Sequence, residues 1–326
     1  MKTFHRVTRM ALAMLLAVAA AASPAQTYPS KPVRFLIPLP AGGAVDMVAR
    51  TTGTAVTERT RMQFVYENRP GANTILSTDA CAKAPPDGYT VCLITSSFSL
   101  NQFLYSKLPF DPVKDIEPIT TLVFNYEALL LNPSVPAGNV RELVAYAKAN
   151  PGKINFGSVG TGSPTHLVPE WVSQQTGASF THIPYKGIGE VVRAFMAGDI
   201  HMMFSSLGNP GFIANIKSGK MKALFVQTSR RVPLIPDVPT MAEAGVPDHG
   251  YRSWWGLAAP AHTPQDIIQK LYADFSEALR ASAVRERFAA LNVEPVGNNP
   301  EQFARFMAED RAGAERLVKA SGARLD

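Results

Sequence analysis

Apolar and polar positions follow two alternating periods along most of the chain. Val33-Arg34-Phe35-Leu36-Ile37 is a short, partly β-branched apolar run that reads as a buried strand. It stops at Pro38 and Pro40, turns through Ala41-Gly42-Gly43, and gives way to a helical spacing of apolar residues over 45–59. Strand, glycine turn and helix open an α/β unit. The unit recurs: residues 89–95 read as a strand, Asn155-Phe156-Gly157-Ser158 as the end of another, and 200–204 and 223–227 as two more. Helices are predicted between them over 140–149, 166–175 and 189–196. That alternation predicts mostly parallel sheets covered by helices on both faces. The last hundred residues are richer in helix. Thr263-Pro264-Gln265-Asp266 places Thr to cap, Pro at the first helical position and Asp at the third, and the helix is expected to run to about residue 291. Asn299-Pro300-Glu301 opens a final helix in the same way. Two extended segments, 119–131 and 224–229, are suited to joining two lobes twice.

The N-terminus follows a different pattern. Lys2, Arg6 and Arg9 precede an unbroken apolar run over 10–22, too short for a membrane-spanning helix, which needs about 20 residues. Ser23-Pro24-Ala25 then offers small residues at a cleavage site. A basic head, short apolar middle and small-residue exit form the secretory signal pattern, with a buried helix or a membrane anchor as the alternative. No Cys follows the run, which argues against a lipid anchor there. The mature chain is expected to begin near Gln26, after cleavage near Ala25, outside the cytoplasm. About 300 residues remain, enough for two lobes.

Removing three basic residues changes the tally of Lys and Arg against Asp and Glu from 32 against 26 to 29 against 26. With no Lys/Arg cluster interleaved with aromatics, nucleic acid is a poor partner; the mild positive balance is compatible with an anionic small ligand. Of the two cysteines, Cys81 and Cys92, a disulfide is expected in an oxidising compartment, contributing about 2–3 kcal/mol through the short loop it closes. No other ligand types sit at metal spacing.

Two glycine-rich turns carry the candidate chemistry: Pro40-Ala41-Gly42-Gly43-Ala44-Val45-Asp46, and Gly157-Ser158-Val159-Gly160-Thr161-Gly162-Ser163-Pro164-Thr165-His166. Each follows a predicted strand and opens a helix. Glycine lets backbone approach a ligand closely, and a helix N-terminus presents unpaired N–H groups with positive partial charge. Two such turns facing each other would hold a carboxylate with backbone donors, aided by Thr161, Ser163 and His166. The blander readings are ordinary αβ connections, Asp46 capping N–H groups within its own helix, His166 as a structural histidine, Trp254-Trp255 as packing, and Lys186 as a solvated charge. Enzyme motifs are weak. Gly157-Ser158-Val159-Gly160 lacks the spacing of a nucleophile elbow, the glycines run in the wrong order for a dinucleotide fingerprint, and no phosphate loop or His-x-x-x-His pair occurs. A Ser/His/Asp constellation assembled from distant residues stays open.

Tyr28-Pro29-Ser30-Lys31-Pro32-Val33-Arg34 leading into Pro40-Ala41-Gly42-Gly43 and Asp46 resembles the opening of the Bug family, the periplasmic solute receptors of tripartite tricarboxylate transporters. Matching blocks follow in order: Pro86-Asp87-Gly88-Tyr89-Thr90, Phe110-Asp111-Pro112 with Asp115, Gly160 to His166, Pro184-Tyr185-Lys186-Gly187, Asp237-Val238-Pro239-Thr240 with Glu243-Ala244-Gly245, and Ala259-Pro260 with Thr263-Pro264. The likeness spans essentially the whole mature chain. It implies a two-lobed clamshell of the periplasmic binding protein type II kind, with residues 26–124 and 228–326 forming lobe 1 and 125–227 lobe 2. It also implies a monomer that needs no cofactor or metal, captures a small organic carboxylate, and docks on integral membrane transporter subunits. By position, Ala41, Gly42 and Gly43 contact one carboxylate from lobe 1, and Gly160, Thr161, Gly162, Ser163 and His166 grip it from lobe 2. Ser96 and Ser97 line the first wall, and Ser205 and Ser206 the second. Leu39 stands where many relatives have Phe, and Ser205 where many have Asp. The missing acid points away from an amino-acid ligand and towards a dicarboxylic or aromatic acid. A membrane sensor as the partner, and a secreted hydrolase using Ser163 or Ser97, are the competing readings.

Overall fold

The computed structural model describes residues 28–209 and 211–325. The expected signal segment, residues 1–25, lies outside the described residues. The chain opens with β1 (Val33–Ile37), α1 (Ala44–Thr60), β2 (Phe64–Asn68), α2 (Ile75–Ala82), β3 (Thr90–Thr95), α3 (Ser97–Leu104) and β4 (Ile116–Asn125). It continues through β5 (Glu127–Leu131), α4 (Val140–Ala149), β6 (Asn155–Ser158), α5 (Pro164–Thr176), β7 (Thr181–Pro184), α6 (Ile188–Ala197), β8 (Met202–Ser206), α7 (Phe212–Lys217) and β9 (Lys222–Val226). It closes with β10 (Trp254–Pro260), α8 (Gln265–Arg280), α9 (Ser282–Ala290), β11 (Val293–Pro295) and α10 (Pro300–Ser321).

Two helix-flanked sheets result. The first has the order β11-β4-β10-β3-β1-β2, the second β7-β6-β8-β5-β9. The chain leaves the first at Asn125 and enters the second at Glu127, with Tyr126 alone between, and returns between Val226 and Trp254. Most strands of each sheet share one direction, as expected, with β10 and β11 reversed in the first and β5 in the second. β1 pairs in parallel with β2 and β3, and β6 with β7 and β8, but β5 runs antiparallel to β8 and β9, and β10 antiparallel to β3 and β4. The physical reason is the route. β5 and β10 arrive from the other sheet, so no helical crossover returns them to the starting edge, the step that enforces parallel pairing.

Local rules account for the elements that frame the cleft. On α1, Val45, Val48, Ala49, Thr52 and Val56 recur at helical spacing and are buried on the sheet. Beneath them Phe35 stacks on Tyr66 at 5.8 Å and meets Phe275 edge-on at 6.0 Å. Cys81 on α2 and Cys92 on β3 are joined by a disulfide, as expected.

Two helix expectations need correction. α8 begins at Gln265, and Thr263 does not cap it: its Oγ1 donates to the Pro260 carbonyl (2.7 Å). The single helix expected to reach residue 291 is broken at Ala281, whose extended backbone (ψ 135°) ends α8 and starts α9. No Pro or Gly marks the break. The Asn299 reading holds: its side chain accepts from Gln302 N–H in a full capping box with Pro300 behind it, a cap worth about 1 kcal/mol. α10 packs against both α3 and α5. Its Ala314, Leu317 and Val318 join one apolar cluster with Leu100 and Leu104 of α3, Leu167 and Trp171 of α5, and Leu129 of β5.

Candidate functional site

A cleft of about 710 Å³ lies between the sheets. One wall is the first glycine turn, from Leu39 to Val45. Gly42 has φ +82°, the left-handed conformation that favours glycine. The turn is held from behind by Asp46, which is buried (3% exposed) and does not line the cleft. Its Oδ2 accepts Gly42 N–H and Arg50 Nε, both at 2.9 Å, and its Oδ1 accepts Asn68 Nδ2 at 3.0 Å. Asp46 therefore ties back the turn that precedes its helix; it was expected to cap amides further along. Burial alone would push its pKa up, but the bonds from Arg50, Gly42 and Asn68 outweigh this and hold the carboxyl below its usual range. Gly42 N–H is thus engaged. Ala44, Val45 and Asp46 stand in the first turn of α1, where amides have no carbonyl one turn back, and the ladder starts only at Met47 N–H to Gly43 (2.9 Å). Arg50 offsets the Asp46 charge, so this helix end keeps its attraction for an anion.

The opposite wall differs from expectation. Val159 and Thr165 from the second turn line the cleft, while Gly160, Thr161, Gly162, Ser163 and His166 do not. The loop uses its own amides. Val159 N–H donates to Thr165 Oγ1 (3.0 Å), Gly160 N–H to Ser158 Oγ (3.0 Å), Gly162 N–H to His166 Nδ1 (3.3 Å) and Ser163 N–H to Gly160 O (3.3 Å). Ser163 Oγ donates to the Gly160 carbonyl at 2.7 Å. His166 lies beneath the loop, its ring 4.1 Å from that of His182, which meets Ser158 Oγ at 2.6 Å. Burial first, and then the neighbouring His182, pull His166 down to about 4, so it is uncharged near neutral pH. Gly162 is backed by Leu104 and Leu325, which a side chain there would strike. Ser96 and Ser97 also miss the cleft; Ser96 Oγ accepts the Tyr251 hydroxyl at 2.9 Å in the core. Lys186 is exposed and outside the lining.

Ser205 and Ser206 line the cleft, together with Asn125, Glu127 and Asn209 at its floor. Ser206 Oγ donates to Asn125 Oδ1 (2.8 Å), Asn125 Nδ2 reaches Ser253 Oγ (3.2 Å), and Asn209 Nδ2 donates to Ser205 Oγ (3.0 Å) and Ser206 O (2.8 Å). Gly208 comes so near the Leu291 carbonyl that an added Cβ would sit 2.5 Å from it; the two halves of the molecule meet there. Leu39, Val159, Ile188, Trp255 and Leu291 make the remaining surface apolar. Trp255 is in the lining while Trp254, pointing to the other face of β10, is fully buried and donates to Asp310 (2.8 Å). Among the described lining residues none is Lys, Arg or His; Glu127 is the sole ionisable side chain.

Sequence reasoning missed Asn125, Glu127, Thr165, Ile188 and Asn209. A signal existed for one: Glu127 is an acid directly ahead of Ala128-Leu129-Leu130-Leu131, an unusual neighbour for a buried strand.

Comparison with known proteins shows relatives of similar sequence and fold. Residues 48–323 match the model of the tripartite tricarboxylate transporter family receptor. Protein BugT of Bordetella pertussis is 33% identical over 318 residues, covering 96% of this chain and 97% of its own. Among solved structures, an R. palustris protein with adipate superposes with a TM-score of 0.78 at 29% identity, covering 91% of this chain and 100% of its own. MatC from Rhodopseudomonas palustris with bound malate superposes at 0.74 and 29% identity, covering 89% and 100%. These relatives are receptors, not enzymes, and the chain belongs to the tripartite tricarboxylate transporter receptor family, the Bug-type periplasmic solute-binding proteins.

Proposed function

We propose that this receptor is exported to the periplasm, with its leader cleaved near Ala25, and there captures a small organic carboxylate. A dicarboxylic or aromatic acid is preferred. Residues 26–124 and 228–326 act as one lobe and 125–227 as the other. The closed, ligand-bound monomer is handed to integral membrane subunits of a tripartite tricarboxylate-type transporter, without cofactor or metal. One observation carries the ligand class: the first turn of α1, with its unpaired amides, opens onto a cleft whose other walls offer hydroxyl and amide groups and apolar surface but no basic side chain. A carboxylate at such a helix end gains about 0.3–2 kcal/mol, and each charge-assisted hydrogen bond about 1.5–3. The adipate and malate carried by two relatives favour a diacid; Trp255 suits an aromatic body. Thr165, Ser205 and Asn209 take the role on the second wall first assigned to Gly160, Thr161, Gly162, Ser163 and His166.

The test is a thermal-shift screen of diacids, aromatic acids and acidic amino acids, followed by native mass spectrometry. A ligand at 100 times its dissociation constant adds about 2.7 kcal/mol, a rise of several degrees in Tm. Stabilisation by aspartate or glutamate but by no diacid or aromatic acid overturns the ligand class.

A further inference from the structure

Glu127 is a carboxyl set into the floor of a ligand cleft with little around it to stabilise a negative charge. It is 8% exposed. Asn125 Nδ2 approaches Oε1 only at 3.5 Å, and Oε2 is buried without a hydrogen-bond partner. Among the described residues no cation acts on it. β8 brings Ser206 opposite Glu127. β9 and the segment beyond it bring Val226 and Gln227, whose N–H donates to the Glu127 carbonyl (2.9 Å). Ser253 and Tyr251 come from the returning segment. Tyr251 is the titratable neighbour, and burial keeps its hydroxyl protonated. The charged groups near Tyr126 and Ser253 are paired among themselves, Arg230 with Glu294 and Arg252 with Asp248. Burial pushes Glu127 up to about 8, against the opposing pull of the Ser253 hydroxyl. The group is then mainly a neutral acid at pH 7, a hydrogen-bond donor.

This bears on how a dianion can be held where no lining residue is basic. One carboxylate is served by the α1 terminus. A second has no cation to meet, and a charged Glu127 would repel it.

Resting on the carboxylate-receptor reading, we infer that Glu127 is a specificity-determining residue that donates its carboxyl proton, as an O–H···O hydrogen bond, to a second carboxylate of the ligand. No covalent bond changes and the proton stays between the two oxygens. The cleft therefore selects acids bearing two carboxylates, one for each end, and takes up the second only with Glu127 protonated.

The experiment is calorimetric titration of the mature protein with adipate at pH 6, 7, 8 and 9, beside hexanoate as the monoacid of matched chain, for wild type, Glu127→Gln and Glu127→Ala. Both carboxylates of adipate are ionised from pH 7 upward and largely so at pH 6. With a proton required on a group titrating near 8, affinity is nearly flat up to pH 7 and about tenfold weaker at pH 9. Glu127→Gln, which keeps an N–H donor that cannot titrate, is expected to bind adipate within a few-fold of the wild type at pH 6, with no pH dependence. Glu127→Ala loses at least tenfold at pH 6, and hexanoate is insensitive to all three changes. Adipate affinity that is flat with pH and unchanged in both variants overturns the inference while leaving the receptor reading standing. Affinity for zwitterionic amino acids that rises with pH and vanishes in Glu127→Gln also overturns it, because Glu127 would then act as an anion. If no carboxylate binds wild type at any pH, the receptor reading fails and this inference with it.

Discussion

Gly313 sits on the buried face of α10 where that helix crosses the segment leading into β10. A Cβ there would lie 2.3 Å from Tyr251 N, 2.4 Å from Gly250 C and 2.8 Å from Gly250 O. All three are backbone atoms, so no side chain can rotate aside. The helix cannot slide either: Asp310 accepts Arg252 N–H and Trp254 Nε1, both at 2.8 Å, and Arg316 Nε donates to His249 O at 3.0 Å. Gly313→Ala gains about 1 kcal/mol of helix propensity. Against this, relieving an overlap of roughly 1 Å costs about 1–3 kcal/mol as overpacking, and stretching the charged Asp310 bonds costs about 1.5–3 more. The expected balance is a loss of about 3 kcal/mol, or some 5 °C in Tm for a chain of this size. Gly189→Ala on α6 is the matched control, since its nearest neighbour is Arg193 Nη1 at 3.8 Å; it is expected to stabilise by a few tenths of a kcal/mol. Thermal melts followed by circular dichroism read both. A Tm for Gly313→Ala equal to or above that of Gly189→Ala would refute the close-approach reasoning.

Three further outcomes are expected. Because the folded carboxyl of Glu127 is raised from 4.5 to about 8, its contribution to stability is complete below pH 4.5 and is lost as pH rises towards 8. Glu127→Gln is therefore more stable than wild type by about 3 kcal/mol at pH 7 and equal to it near pH 4, and a gap of constant size in urea melts would contradict this. Asp46→Ala leaves Gly42 N–H, Arg50 and Asn68 without their acceptor, costs about 2–3 kcal/mol, and weakens ligand binding by loosening the first turn; wild-type affinity on titration would count against the tie. Replacing Cys81 and Cys92 together with Ala removes a cross-link of sequence separation 11 and costs at least 2–3 kcal/mol, with ligand affinity within twofold of wild type. Equal urea midpoints would remove the disulfide from the stability argument.

Much of the fold was legible because it is local. β1, its glycine turn and α1 announce themselves by a change of period, and the Asn299 cap by three consecutive residues. The strands that were missed depend on partners far away. β10 looks like a Trp-Trp-Gly irregularity until β3 and β4 flank it, and β2 is an edge strand of half-buried residues. The break at Ala281 leaves no mark in composition. At the site, both turns were visible as turns, but not which of their amides point outward. That depends on side chains returning from within the fold: Asp46 takes one amide of the first turn, while Ser158, Thr165 and His166 take three of the second. The floor was invisible for the same reason, since Asn125 and Glu127 meet Ser205 and Ser206 only through strand pairing across some eighty residues.

The apolar cluster that α10 shares with α3 and α5 has a mechanical consequence. Parting the two halves at that point would wet Leu104, Trp171 and Leu317 together, whereas rotation about it leaves them dry. Any relative motion of the two sheets that keeps this cluster dry therefore has this contact as its fulcrum. The last residues belong to the fulcrum too: Leu325 N–H is bonded to Leu104 O at 2.9 Å and its side chain props Gly162. A fusion joined beside Leu325 would press on that contact and, through Leu325, on the second glycine turn.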